Sequence, residues 1–298
     1  MLKITGAYLD EITYDIPSQN WNEDDWDKDF SAMKDIGIDT VVIIRAGLRN
    51  QCIFSSNVLK VNVDNDLAKL FLEKAEKYGM RLFFGLYDSA DYWLKDRWRE
   101  EVAINLKFID EIWNKYGAYK SFYGWYFVHE VGGNKLHITE IYNSLGEKCK
   151  KLSPEKLILI SPFFCGRKGA PQDYYTPEQH AEQWDELLSG FKYIDLAAYQ
   201  DGPVFTEDLP EYWKITKEVF SRHKKTKLWA NVETFSRDMP IKFPPIDIRD
   251  LLLKLKAAEP YVEKAITFEF SHFMSPNSIY LAARNLYKRY KEKIEKED

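Results

Sequence analysis

The chain predicts an α/β protein of the (β/α)8 barrel (TIM barrel) class, folded as a single domain over residues 1–298. Three observations predict it. Eight apolar runs rich in β-branched and aromatic residues recur along the chain, ending near residues 11, 45, 88, 130, 164, 201, 233 and 270. The segments between them place apolar residues at helical spacing and stop at glycines or turn residues. The runs also lack the in/out alternation of a half-exposed strand, which marks a parallel sheet covered by helices. A length of 298 residues suits eight such units in one closed barrel.

Each unit has its own signals. ITGAYLDE (4–11) is the first strand, and the helix over about 22–36 keeps Trp26, Phe30, Met33 and Ile36 on one face before Gly37 ends it. TVVIIRAG (40–47) leads to a helix over 66–78 closed by Gly79. RLFFGLYDS (81–89) precedes a long amphipathic helix over about 95–116, stopped by Gly117. FYGWYFVHE (122–130) is followed by a helix over 138–152, and KLILISPFF (156–164) by one over 177–188 that starts at Pro177. YIDLAAYQD (193–201) leads to a helix over 210–221, and KLWANVETF (227–235) to one over 247–258. AITFEFSHF (265–273) is the eighth strand, and a helix over about 276–292 closes the chain. No Pro-, Gly- or Ser-rich linker divides these units.

Composition narrows the function classes. A formal net charge of −5 speaks against nucleic acid as a partner, because neutralising phosphates requires a basic surface. No apolar stretch approaches the ~18 residues that a membrane span requires, so no membrane partner is expected. The start, MLKITGAYLDEIT, enters a strand at once, which predicts a cytoplasmic protein, or a secreted one if a leader has been removed. Cys52, Cys149 and Cys165 are widely spaced and form no CxxC pair, so they read as free thiols. Aromatic residues make up 15% of the chain, with 9 Trp, 19 Tyr and 18 Phe. Many fill the core; the excess suits a cleft that stacks on the apolar faces of sugar rings.

Motif absences matter as much. The turn after the first strand reads LDEITYDIPSQN rather than GxGxxG, and no P-loop, HExxH or GxSxG occurs. No cofactor and no metal centre is therefore expected. What remains is a set of polar residues at the strand C-termini, the end of a βα barrel where catalytic groups converge. They are Asp10 and Glu11, Arg45, Tyr87 and Asp88, His129 and Glu130, Tyr199 with Gln200 and Asp201, Glu233, then Glu269 and His272. Within them, Glu130 ends the fourth strand and Glu233 the seventh, far enough apart around the barrel to face one another across its mouth. A protonated acid plus a second carboxylate is the minimum equipment for glycoside hydrolysis. Arg45 ends an apolar strand and either orients a carboxylate such as Glu233, binds an acidic sugar, or forms a structural ion pair with Glu11 or Asp88. Trp93 and Trp98 form a stacking platform or cap the following helix. Trp229, inside a strand, reads as core.

Strands four and seven ending in Glu130 and Glu233 resemble the large clan of retaining βα-barrel glycoside hydrolases. The stretches ITGAYLDEITYDIPSQNW (4–21) and IGIDTVVIIRAG (36–47) resemble a glycosidase-related barrel family known as domain of unknown function 4434, over most of the chain. The clan resemblance implies Glu130 as general acid/base and Glu233 as nucleophile of a double displacement on an oligo- or polysaccharide. It also implies a tyrosine touching the nucleophile, a place that Tyr199 would take. The clan has Asn before its acid/base, where it binds the sugar; here that residue is His129. The expected catalytic pair is thus Glu130 and Glu233. Glu11, Arg45, Tyr87, Asp88, Trp93, His129, Tyr199, Gln200, Glu269 and His272 are the expected substrate contacts. The alternatives are a carbohydrate-binding barrel without catalysis and a metal-dependent hydrolase or isomerase.

Overall fold

The structure, a computed structural model, describes residues 1–14, 16–135, 137–236 and 243–296. Eight parallel strands close into a barrel: β1 (Ile4–Leu9), β2 (Thr40–Ile43), β3 (Arg81–Gly85), β4 (Phe122–Phe127), β5 (Leu157–Ile160), β6 (Leu196–Gln200), β7 (Lys227–Asn231) and β8 (Ala265–Thr267). Each pairs with its neighbours in sequence, and β8 returns to pair with β1. Around them lie α1 (Glu23–Asp35), α2 (Leu67–Tyr78), α3 (Trp98–Tyr116), α4 (Ile138–Leu152), α5 (Pro177–Gly190), α6 (Leu209–His223) and α7 (Ile248–Ala258). A short α8 (Phe270–Phe273) and the closing α9 (Leu281–Ile294) complete the ring.

Local chemistry sets these boundaries. Asn22 and Asp25 form a reciprocal capping box at the start of α1, and Thr176 and Gln179 do the same for α5 behind Pro177. Gly79 closes α2 with φ of 66°, a conformation that costs glycine nothing. Trp26, Phe30 and Met33 are buried on the inner face of α1. None of the described helices is long and apolar enough to cross a membrane.

The barrel interior is aromatic. Tyr8 on β1 meets Tyr126 on β4 with ring centroids 5.4 Å apart, and Phe83 on β3 meets Trp229 on β7 at 6.3 Å. Neither pair belongs to adjacent strands, so these rings fill the lumen from opposite walls. Small residues make room for them: a Cβ at Gly124 would fall 2.5 Å from the Phe83 ring.

Several strands are shorter than expected, β2 ending at Ile43, β4 at Phe127 and β5 at Ile160, and the closing helix starts at Leu281 rather than near 276; three further differences reshape the C-terminal end of the barrel. The third run splits, with Tyr87–Asp88 leaving the barrel to pair with Gly47–Leu48 in a separate three-stranded sheet completed by Gln51–Cys52. The long helix of the third unit starts at Trp98, after a 3-10 turn over Trp93–Lys95. The eighth strand stops at Thr267, because the Glu269 carboxylate accepts the N–H groups of Ser271 and His272 and caps α8 instead.

Gly85 is the tightest point of the sheet, where an added Cβ would lie 2.1 Å from the Ile43 carbonyl oxygen on β2. Backbone cannot yield as a side chain can. Gly85→Ala is expected to destabilise the barrel by about 1–3 kcal/mol, read as a lower urea midpoint against the wild type.

Candidate active site

A cavity of about 280 Å³ opens at the C-terminal mouth of the barrel, and both Glu130 and Glu233 line it. Arg45, Asp88 and Gln200 line it too. The two glutamates are held differently. Glu233 lies two residues past β7 and is 1% exposed. Its N–H donates to Asp201 Oδ1 (3.1 Å), which also accepts Lys254 Nζ (2.7 Å). The same ammonium donates to the Glu233 carbonyl (3.1 Å). The carboxylate itself packs over Gly202, where a Cβ would fall 1.6 Å from Oε2, so no other residue leaves space for it there. Glu130, three residues past β4, keeps 28% of its side chain exposed and accepts a long hydrogen bond from Tyr126 (3.5 Å).

Arg45 organises the charged half of the cavity. Its Nε donates to Asp88 Oδ2 (3.3 Å), Nη1 to Thr13 Oγ1 (3.2 Å), and Nη2 stands 3.9 Å from Glu130 Oε1. Burial works against the guanidinium charge, but Glu130, Asp88 and Asp10 outweigh it and hold the pKa above the ordinary arginine value. Asp88 is fixed in turn by the Trp93 indole N–H (3.0 Å) and the Ala90 N–H (2.7 Å). Asp10 accepts the N–H groups of Ile12 and Thr13, shaping the loop that presents Thr13, and its own pKa is raised, chiefly by burial. The opposite wall is aromatic: Tyr8 and Phe268 (5.9 Å) and Phe268 and Phe235 (6.0 Å) form a continuous face. Charged groups on one side and flat apolar faces on the other suit a ring that carries both hydroxyls and C–H faces.

Seven of the residues expected at this site are outside the cavity. His129 turns outward, its Nε2 3.1 Å from Glu101 Oε1 on α3 and its ring against Trp93. With Glu130 facing in, the residue before it in extended backbone must face out. Trp93 is buried as the anchor of Asp88 rather than presented as a platform, and Trp98 stacks on His137. Tyr199 is fully buried among Phe164, His180 and Trp184, the last two on α5, and does not line the cavity. Tyr87 bonds the Arg49 carbonyl, and Glu11 accepts from Ser18 and the Gln19 N–H. Glu269 and His272 pair with each other in the core.

Other residues take their places. Asn231, Glu233 and Phe235 all line the cavity. Their spacing of two continues the alternation of β7 past its last residue, so alternation counted from Glu233 would have found the outer two. Asn231 also donates to Ser161 Oγ (3.2 Å) and accepts the Phe268 N–H (2.8 Å), tying β5, β7 and β8 beneath the site. Among the described residues no group of three or more His, Cys, Asp and Glu side chains is disposed to hold a metal ion.

The His272 ring meets acceptors at both nitrogens, the Glu269 carboxylate at Nδ1 and the Pro17 carbonyl at Nε2 (2.7 Å). Only the imidazolium satisfies both. Burial pushes its pKa down, yet Glu269, with smaller help from the Pro17 carbonyl and Asp10, raises it to about 9. A histidine whose folded pKa exceeds its unfolded value stabilises the fold fully below the unfolded pKa of about 6.5. That stability is lost as pH rises through about 9. The urea midpoint of the wild type is expected to fall between these pH values more steeply than that of His272→Gln; parallel profiles would contradict the charged pair.

The fold has known counterparts. The chain superposes on the crystal structure of a "putative alpha-L-fucosidase" from Bacteroides thetaiotaomicron VPI-5482 with a TM-score of 0.94, at 42% identity, covering 99% of this chain and 94% of that one. An intracellular xylanase from Thermoanaerobacterium saccharolyticum JW/SL-YS485, in complex with xylotriose, is similar at a TM-score of 0.56 and 12% identity, over 90% of this chain and 85% of that one. A beta-galactosidase from the psychrophilic Marinomonas ef1 is similar at 0.60 and 12% identity, over 99% of this chain and 60% of that one. The last two share the fold alone. No curated protein matches the chain. Residues 4–280 match the family described as Domain of unknown function (DUF4434), and the chain belongs to that family.

Proposed function

We propose that this protein is a glycoside hydrolase that works by double displacement, with Glu233 as nucleophile and Glu130 as general acid/base. The observation that carries this reading is the meeting of the two glutamates, from the ends of β4 and β7, in one cavity at the barrel mouth. Their environments support different roles. Glu233 is dry and fixed through its backbone, as a group that must attack one carbon atom along one line should be. Glu130 reaches solvent, from which it can regain or lose a proton between the two steps.

In the first step the Glu233 carboxylate bonds to the anomeric carbon as the glycosidic bond breaks, and Glu130 gives its proton to the departing oxygen. The carboxylate formed at Glu130 stands beside the Arg45 guanidinium, which stabilises the new charge. In the second step Glu130 takes a proton from water, whose oxygen bonds to the anomeric carbon and releases Glu233. The aromatic wall of Tyr8, Phe235 and Phe268 supplies the apolar surface for the sugar face. A neighbour at 42% identity described as a fucosidase makes an L-fucoside the first substrate to try. A 6-deoxy sugar also offers a methyl group to that wall.

The test is hydrolysis of the 4-nitrophenyl glycosides of L-fucose, D-xylose and D-galactose, and of matching disaccharides. Glu233→Ala is expected to abolish turnover; added azide restores it and yields the glycosyl azide of inverted configuration. Glu130→Ala is expected to lose about 10²–10⁴-fold on disaccharides and much less on activated aryl glycosides, which need no proton. With azide, Glu130→Ala should give the product of retained configuration. Full activity of Glu233→Ala without azide overturns the mechanism, and inverted product from Glu130→Ala exchanges the two roles. Loss of activity on chelation, restored by a divalent ion, would favour a metal-dependent hydrolase instead.

A further inference from the structure

A second hollow of about 190 Å³ lies on the far side of Glu130. It shares Glu130 and Gln200 with the main cavity and is otherwise built from the loops after β5 and β6, by Phe163, Cys165, Gly166, Gly169 and Pro203 among others. Glu233 does not line it. The hollow is built from packed parts. The Phe163 N–H donates to the Val131 carbonyl (3.2 Å), and its ring lies on Gly132, where a Cβ would fall 2.5 Å from it. The Gly169 N–H donates to the Pro203 carbonyl (3.0 Å), and a Cβ at Gly166 would sit 2.7 Å from that same oxygen, so the two loops touch backbone to backbone. Outside, Arg167 pairs with Asp208 (2.9 Å), just before α6, and pins the first loop to the second.

We infer that this hollow is the subsite for the leaving group, and that it takes a neutral ring, either a second sugar or an aryl aglycone. The inference rests on the function proposed above and adds a direction to it. A nucleophile and an acid act on opposite sides of the scissile bond: the sugar whose anomeric carbon is attacked must touch both, whereas the departing group touches the acid alone. The main cavity contains both glutamates and the side hollow only Glu130. The ring on the Glu233 side is therefore the glycone, and what leaves moves out past Phe163. Phe163 is half-buried and offers a flat face for stacking, while the glycine-lined wall lets a ring approach backbone. Among the described lining residues Glu130 is the only charged group, so nothing there would pair with a phosphate or sulfate on the departing ring.

The inference is tested with matched substrates that share a glycone and differ in what occupies the hollow. These are the glycosyl fluorides and the 4-nitrophenyl glycosides of L-fucose, D-xylose and D-galactose. Fluoride leaves the hollow empty and nitrophenol fills it. Cys165→Trp places a large side chain in the hollow, and the ratio of kcat/KM for the aryl glycoside to that for the fluoride should fall about tenfold or more. Alkylation of the wild type with iodoacetamide gives a second reading in the unaltered fold. Cys52 and Cys149 are buried, so modification should concentrate on Cys165 and lower the same ratio, and Cys165→Ala should be insensitive. An equal fall for both substrates, or an unchanged ratio with Cys165 fully modified, overturns the subsite while leaving the hydrolase reading intact. If the wild type cleaves none of the six substrates or their disaccharides, the hydrolase reading falls and the subsite with it.

Discussion

Lys254, 2% exposed as a residue, extends its ammonium from α7 beneath the barrel mouth to Asp201 at the end of β6 and to the carbonyl of Glu233 beyond β7. Burying a lysine and an aspartate costs several kcal/mol per ion before any attraction is counted. Such a pair persists where its geometry is good. Here one carboxylate oxygen takes both the ammonium and the Glu233 N–H, and the ammonium also takes the adjacent carbonyl. Three elements of the ring are thereby locked to the backbone of one residue. The position of Glu233, and with it the shape of the cavity, follows from that lock and from the missing side chain at Gly202.

A comparable lock works from the other side. Arg45 leaves β2 and holds Asp88 and Thr13 while standing beside Glu130, and Trp93 holds Asp88 from behind. The two glutamates are therefore supported unequally: one by a buried network through its backbone, the other by a cation next to its side chain. That asymmetry suits the double displacement proposed above, in which one carboxylate stays aligned and the other changes its proton twice.

The end of a βα barrel makes polar residues common, and this chain shows why residue type at a strand end is an incomplete guide to role. His129, Tyr199, Glu269 and His272 look like ligand contacts when read in order. Each is buried and occupied with the scaffold: His129 with Glu101, Tyr199 with an aromatic cluster under α5 and α6, and Glu269 with His272. Backbone direction separates the two kinds. Where the alternation of a strand carries past its end, as at Asn231, Glu233 and Phe235, alternate residues face the cavity and can be counted from any one of them. Where the chain turns immediately, as after β8, the count fails, because Glu269 uses its carboxylate to cap α8 rather than to face the mouth.

The amino-acid sequence by itself determined the eight strands, the helices between them and the single-barrel class. These depend on apolar periodicity and on stop signals such as Gly79 and Pro177, which act within a few residues along the chain. It also determined that Glu130 and Glu233 follow strands four and seven, because counting strands requires no tertiary detail, though both lie two or three residues beyond the strand itself. Only the tertiary structure decided that these two share a cavity with Arg45, Asp88 and Gln200, while Glu11, Tyr87, Trp93, His129, Tyr199, Glu269 and His272 do not line it. That choice rests on which way each side chain turns where a strand ends. It also rests on contacts such as Lys254 with Asp201, 53 positions apart in the chain, to which no local pattern points.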